Sequence, residues 1–405
     1  MNTMALESSP AFKHDVIDQS SCTKTLLVNG RQSSFDSSTK CNLNRGFSKV
    51  SHETDSIWIS GDYDSLPEVP MFYPIERTST VVDCCDSREI ARRITGCLQK
   101  LSITAKFNAS EASLFAETLD YTKFHIRLYK SNNINNKGIL VELQRVDGDS
   151  FNFVKYVQAI LASARGENIN GRKATARRSS LNYIPSSIIS CHLDKRRQPE
   201  ECNAEYMMHI EELLKKDRSD AVLLGIESLV LLTDQDRSQV SLSVAEAVLN
   251  GNGHSVIKDF VRKCIHCPHL TLSPEDNAFD YASWQCCDRL HNAALAVLGN
   301  SLKTASDAKS SKLLGFLLES EEWMGHSGIV DALLSELSHA EDRSHDAYHA
   351  ARCLNTLLDS SPEMKMALIE RGLPRLMKIS QAVGQRRHSL LARECDAALF
   401  LMADE

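Results

Sequence analysis

At 405 residues, with 42% apolar and 6% aromatic residues and a formal charge of −7, the chain has room for two or three globular domains. The mild negative charge excludes a protein that is basic throughout and made to coat nucleic acid, and no segment approaches the roughly 20 apolar residues a membrane span needs. Thirteen cysteines, including the adjacent pairs Cys84-Cys85 and Cys286-Cys287, follow no disulfide framework. With no signal-peptide pattern at the start, they predict reduced thiols in a soluble cytoplasmic or nuclear protein.

Residues 1–78 are rich in Ser, Thr, Asn and Asp, with apolar islets such as Leu26 to Val28 too isolated to form a core. They are predicted to be a disordered tail. From Asp83 the pattern becomes periodic. Ile90, Ile94, Cys97, Leu98 and Leu101 follow helical spacing behind an Asp86-x-x-Glu89 start. Alternation of period two follows, with Ile103, Ala105 and Phe107 on one face, a weaker strand near Leu114 to Glu117, and Phe124, Ile126 and Leu128 opposed by His125, Arg127 and Tyr129. Beyond the Asn-rich loop at 132–136, Ile139, Val141 and Leu143 form another strand. The turn Asp147-Gly148 leads to Asp149 as N-cap of a last helix with the stripe Phe153, Val154, Val157, Ile160, Leu161 and Ala164.

Helix, four strands, helix, ending in GILVELQRVDGDSFNFVKYVQAIL, resembles the C-terminal kinase-associated domain of certain protein kinases. The resemblance covers about residues 83–165, within a domain placed at 79–166. It implies a small α+β fold of helix, four-stranded antiparallel sheet and helix, and binding of acidic phospholipid, without assigning a lipid-site residue. No Gly-rich phosphate loop, strand Lys or HRD-type loop precedes it, which excludes a kinase.

Residues 167–198 read as a basic linker. Arg172, Lys173, Arg177 and Arg178 are its candidate contacts for an anionic membrane surface or for nucleic-acid phosphates, against the plain reading of a solvated linker. Ser179 and Ser180, after Arg177-Arg178, are candidate phosphorylation sites for a basophilic kinase, and phosphate there would weaken any anion binding.

The region 199–405 carries 20 Lys and Arg against 32 Asp and Glu, a balance of −12. Its clearest segment is AARCLNTLLDSSPEMKMALIERGLPRLMKI, residues 350–379. Ala351, Leu354 and Leu358 share a helix face, Pro362 opens a short helix carrying Met366, Leu368 and Ile369, Gly372 stops it, and Pro374 opens the next. This resembles an armadillo repeat. Four stretches, Ala221 to Leu232, Leu290 to Leu302, Asp346 to Leu358 and Leu390 to Met402, are predicted long inner helices of an armadillo or HEAT array, at uneven spacing and with an insertion over His269 to Ser283. The resemblance implies a protein-binding surface. The Asn ladder with which such arrays grip extended peptides is mostly missing: Thr356 and Phe400 or Leu401 stand at ladder positions, and Asn300 alone survives.

Cys264-x-His266-Cys267-x-His269, with Cys286, Cys287 and His291, has some of the features of a zinc site. Adjacent Cys286 and Cys287 project about 100° apart on a helix, so ordinary thiols are the simpler reading, and no metal, cofactor or catalytic residue is assigned. Glu211 with Glu212 and Glu321 with Glu322 read as solvated helix faces. The predicted fold class is therefore mainly α, an armadillo-type α-solenoid with a small α+β domain. The predicted function is a non-catalytic scaffold or adaptor for a protein partner, with recruitment to anionic membrane lipids as the alternative and nucleic acid disfavoured.

Overall fold

The computed structural model describes residues 58, 63–69, 74–83, 86–108, 111–131, 138–167, 199–235, 242–266 and 281–403. Over these residues the chain is mainly helical, with one antiparallel sheet of five strands in the order β1-β5-β4-β3-β2. The strands are β1 (Ser79–Val82), β2 (Thr104–Asn108), β3 (Ser113–Glu117), β4 (Lys123–Ser131) and β5 (Gly138–Asp147). The expectation of four strands is thus corrected to five. β1 escapes sequence reading because it is four residues long and buries only Val82, too few positions for alternation to register.

One face of the sheet is covered by α1 (Ser87–Leu101) and α2 (Ser150–Ala164), which pack on each other. Asp86 caps α1 by accepting from the Arg88 N–H, and Asp149 caps α2 by accepting from the Asn152 N–H. Ile90, Ile94 and Leu98 of α1 and Phe153, Val157 and Ile160 of α2 meet Phe124, Ile126, Leu128, Ile139, Val141 and Leu143 in one core. Val154 belongs instead to the solvent side, 46% exposed, because the stripe of α2 is narrower than the sequence suggested.

The predicted tail lies mostly outside the described residues, but its described part is packed on this domain. Trp58 is buried and stacks on Phe107 at 6.4 Å, and Leu66 joins the same core. Pro67 accepts from the Lys130 N–H and Glu68 bridges Lys130 in parallel, so this segment runs along β4 beyond the end of β3. The structured domain therefore starts earlier in the chain than residue 79.

The helices after the linker are α3 (Pro199–Leu214), α4 (Ser219–Thr233), α5 (Leu242–Leu249), α6 (Ser255–His266), α7 (Tyr281–Asp307), α8 (Ser311–Glu319), α9 (Glu321–Met324), α10 (Ile329–Ser338), α11 (Ser344–Leu358), α12 (Pro362–Glu370), α13 (Leu373–Arg387) and α14 (Ser389–Ala403). The four predicted inner stretches lie in α4, α7, α11 and α14, and each of these helices packs on the next in that order. A second row runs α3, α6, α10, α13. Each member of the second row also packs on the following helix of the first. The residues 281–283, expected in an insertion, are the first turn of α7, while 267–280 lie outside the described residues.

Within the segment read as a repeat, Ser361 caps α12 by accepting from the Met364 N–H, with Pro362 at its first turn. Met364 and Leu368 are the buried pair of α12. Met366 is 48% exposed and Ile369 half-buried, because the buried face of α12 runs through Met364 and Leu368, four positions apart. Gly372 has φ 84° and no atom near the position of an added Cβ, so its requirement is purely conformational. Gly372→Val is expected to lower the stability of the full chain by more than about 1 kcal/mol, since a β-branched residue disfavours that backbone region. A thermal transition that does not move would refute this. At Gly384 the requirement is space: an added Cβ would sit 2.5 Å from the Ala392 nitrogen, where α13 and α14 cross.

Candidate functional site: a polar seam between sheet and helices

The small domain meets the helical rows through two turns whose tips adopt left-handed backbone, Ser102 (φ 57°) after α1 and Tyr121 (φ 59°) between β3 and β4. Non-glycine residues hold that conformation only where their surroundings compensate. Ser102 does so by capping a helix of the other region. Its Oγ accepts from the Leu390 N–H at 2.9 Å and lies 3.0 Å from Ser389 Oγ, which donates to the Lys100 carbonyl. The same N-terminal end of α14 is capped from within by His388, whose Nδ1 accepts from the Leu391 N–H at 3.1 Å.

That last bond sets a chain of imidazoles. With Nδ1 of His388 an acceptor, its Nε2–H donates to Nδ1 of His345 at 3.0 Å, and Nε2–H of His345 donates to the Glu117 carbonyl of β3 at 3.1 Å. Both rings are neutral in this arrangement. Burial holds His345 below the usual histidine range and His388 well below it, with the neighbouring imidazoles adding to the effect on His388.

Tyr121 makes the second anchor. Its hydroxyl donates to Asn292 Oδ1 at 2.8 Å, while the Arg289 guanidinium sits 5.1 Å from its ring centre and pairs with Glu227 of α4. Burial pushes the Tyr121 phenol well above its ordinary value. Asn292 in turn donates to Asp346 Oδ1 at 2.8 Å. Asp346 stands beside His291 of α7 and Glu336 of α10, and the donor atoms of these three side chains all lie within 4.8 Å of one another. His291 Nδ1–H donates to the Cys264 carbonyl at 2.8 Å, and its Nε2 is 3.4 Å from Glu336 Oε1. Burial lowers the His291 pKa, but the Glu336 and Asp346 carboxylates outweigh it and the net shift is upward. At Glu336 burial acts upward, and His291 with Arg343 brings the net shift down; Asp346 is raised by burial.

A cleft of about 990 Å³ opens along this seam, lined from the small domain by Lys106, Phe115 and Glu117 and from the helices by Asp288, Arg343 and Asp346 among others. Both charge signs line it, and several are mutually paired, such as Lys123 with Glu117 and Arg387 with Glu341.

The candidate anion contacts Arg172, Lys173, Arg177 and Arg178, the candidate phosphorylation sites Ser179 and Ser180, and the thiol and imidazole of Cys267 and His269 lie outside the described residues. Among the described residues, the group close enough to share an ion is not a cysteine set. Cys264 meets His291 through its carbonyl rather than its sulfur. Burial pushes the thiols up, Cys97 to about 11 and Cys353 and Cys395 to about 12, so they remain protonated and poorly nucleophilic. Asn300, the surviving ladder position, is buried and donates to Val230 and Thr233 of α4. Its amide is used between helices instead of facing a groove.

Comparison of the sequence with models of known protein families and with curated proteins finds no match.

Proposed function

We propose that this chain is a non-catalytic scaffold, an armadillo-type array whose first row of helices presents a surface to a protein partner, with the kinase-associated-like domain docked across the ends of the helices as a rigid brace. The observation that carries this reading is the double row, in which α4, α7, α11 and α14 pack successively and α3, α6, α10 and α13 do the same alongside. Helices that contact neighbours in series rather than a common centre leave a continuous face, the feature by which stacked-repeat proteins bind.

The helices at the two ends of the row each carry an exposed apolar side chain, Leu224 of α4 at 55% and Phe400 of α14 at 66% exposure. The balance of −12 over 199–405 favours a basic partner. Because Asn300 is spent internally, side-chain contacts rather than an asparagine ladder carry the binding.

Affinity capture from cell extract with the full chain at physiological salt tests the reading, run beside Leu224→Asp and Phe400→Asp. Both positions are exposed, so their substitutions are expected to change stability by less than about 0.5 kcal/mol while releasing the captured protein. Recovery of the same proteins by wild type and both variants would remove the row from the account. Flotation of the full chain with anionic vesicles but not neutral ones, with no protein captured, would favour membrane recruitment.

A further inference from the structure

We propose that His291, Glu336 and Asp346 hold a divalent transition-metal ion of the zinc and manganese class, a structural ion that ties α7, α10 and α11 together at the floor of the cleft.

One ring nitrogen of His291, Nε2, makes no hydrogen bond. Donation of Nδ1–H to the Cys264 carbonyl at 2.8 Å fixes the ring and leaves the Nε2 lone pair facing the two carboxylates. This is the arrangement that orients metal-bound histidines, in which the far nitrogen donates to a carbonyl or carboxylate. His291 is 2% exposed, and its Nε2 makes no hydrogen bond; Glu336 is 3% exposed, and its Oε2 makes none either. Glu336 Oε2 faces the Arg343 guanidinium, so the atom left without a partner is His291 Nε2, with Glu336 Oε1 opposite it; a buried polar atom in that state is costly unless something sits against it.

The spacing fits an ion better than a direct bond. The 3.4 Å between His291 Nε2 and Glu336 Oε1 is long for an imidazole–carboxylate hydrogen bond, for which about 2.7–2.9 Å is usual. It matches the roughly 3.3 Å that separates two donors on a tetrahedral ion with bonds of about 2.0–2.1 Å. The remaining donor pairs lie within 4.8 Å, a gap that rotation of the carboxylates closes. An imidazole with two carboxylates is a mixed donor set of the kind taken by zinc or manganese, and it lacks the thiolates that would select a softer ion.

Outer contacts are also in place. Asn292 holds Asp346 Oδ1 at 2.8 Å, and Arg343 lies 3.2 Å from Glu336 Oε2, outside hydrogen-bond geometry. Asp346 and Glu336 line the cleft, which gives an ion its entry path and leaves a further coordination position toward solvent. Through Asn292 the site is linked to Tyr121, so an ion bound there stiffens the anchor of the small domain.

The test uses the full chain, freed of metal with a chelator, dialysed, and titrated calorimetrically with ZnCl2 and MnCl2, with Co2+ as a spectroscopic probe. One ion per chain is expected, with Co2+ bands of nitrogen and oxygen ligation and no thiolate charge-transfer band. Asn292→Ala should weaken binding by about 10–100-fold, the usual effect of losing an outer contact, and Asp346→Asn and Glu336→Gln should weaken it more. Glu341→Gln, at the same cleft, should leave it unchanged. Circular dichroism and gel filtration establish that each variant is folded, and Asp346, the partly exposed member, is the substitution best tolerated. Three results would overturn the assignment: a folded wild-type chain that binds none of the three ions, affinity indifferent to Asp346→Asn, or a thiolate band that places the ion with the cysteines of α6 and α7.

Discussion

Phe153→Ala is expected to cost the small domain about 3–5 kcal/mol, the usual range for emptying a buried phenylalanine site. Phe153 is 6% exposed, on the first turn of α2, and its ring lies 5.7 Å from that of Phe124 at the start of β4. It therefore closes the end of the core where α2 begins, directly after the tight turn at Gly148, and no neighbour can relax into the gap without moving that turn. The loss should appear as local opening rather than global unfolding, because the helical rows have their own continuous core. Amide exchange in β4 and β5 of the full chain should accelerate by on the order of 10² to 10³-fold while α11 and α14 keep their protection. Exchange in β4 within threefold of wild type would mean that α2 does not depend on this contact.

The elements that sequence reading located are those in which one local signal suffices. α2 announces itself by an aspartate cap followed by an apolar stripe, and β4 and β5 by the alternation read over 124–129 and 139–144, within strands of nine and ten residues. Gly372 was legible for the same reason, since a left-handed stop between two helices favours glycine whatever surrounds it. Trp58 was not. Its burial depends on Phe107, forty-nine positions along the chain, and the run Ile57-Trp58-Ile59 is too short to announce an element by itself. β1 likewise exists because Thr80 and Val81 meet Val141 and Leu140 of β5, a pairing that leaves no local trace.

The seam was hidden for a different physical reason. A buried polar residue looks in sequence like a solvated one, and only its distant partners reveal the difference. His345 and His388 are forty-three residues apart, and His345 reaches the Glu117 carbonyl across 228. One clue was present: His345 and His349 stand one turn apart on α11 among Ala347, Ala350 and Ala351, so they occupy the apolar side of a helix rather than its solvent side. The cysteine pattern around Cys264 and His291 pointed to two segments that are neighbours in the structure. α6 and α7 do meet there, through a backbone carbonyl, and the carboxylates that complete the cluster come from α10 and α11.

Acid should loosen the seam, and His388 is the group through which this is measured. Its ring is fully buried, Nδ1 receives the Leu391 N–H, Nε2 faces His345, and Tyr348 lies against it with ring centres 5.7 Å apart. The titratable groups that shift it are the imidazoles of His345 and His349, and burial and both neighbours act downward. Protonation would also require Nδ1 to surrender the cap of α14, since it would then carry a hydrogen facing the Leu391 N–H. A histidine depressed in the folded state contributes stability that is complete above its unfolded value of about 6.5 and is lost as pH falls below it. The raised pKa of His291 acts in the opposite sense, so a comparison of variants isolates His388 better than a single profile does. His388→Gln keeps an acceptor for the cap and a donor toward His345 but cannot titrate. Unfolding free energies of the full chain at pH 7.5, 6.5 and 5.5 should fall more steeply for wild type than for the variant below pH 6.5, by about 1 kcal/mol per pH unit. Parallel profiles would show that the ring is not held neutral and that the imidazole chain does not join the two regions as its hydrogen bonds imply.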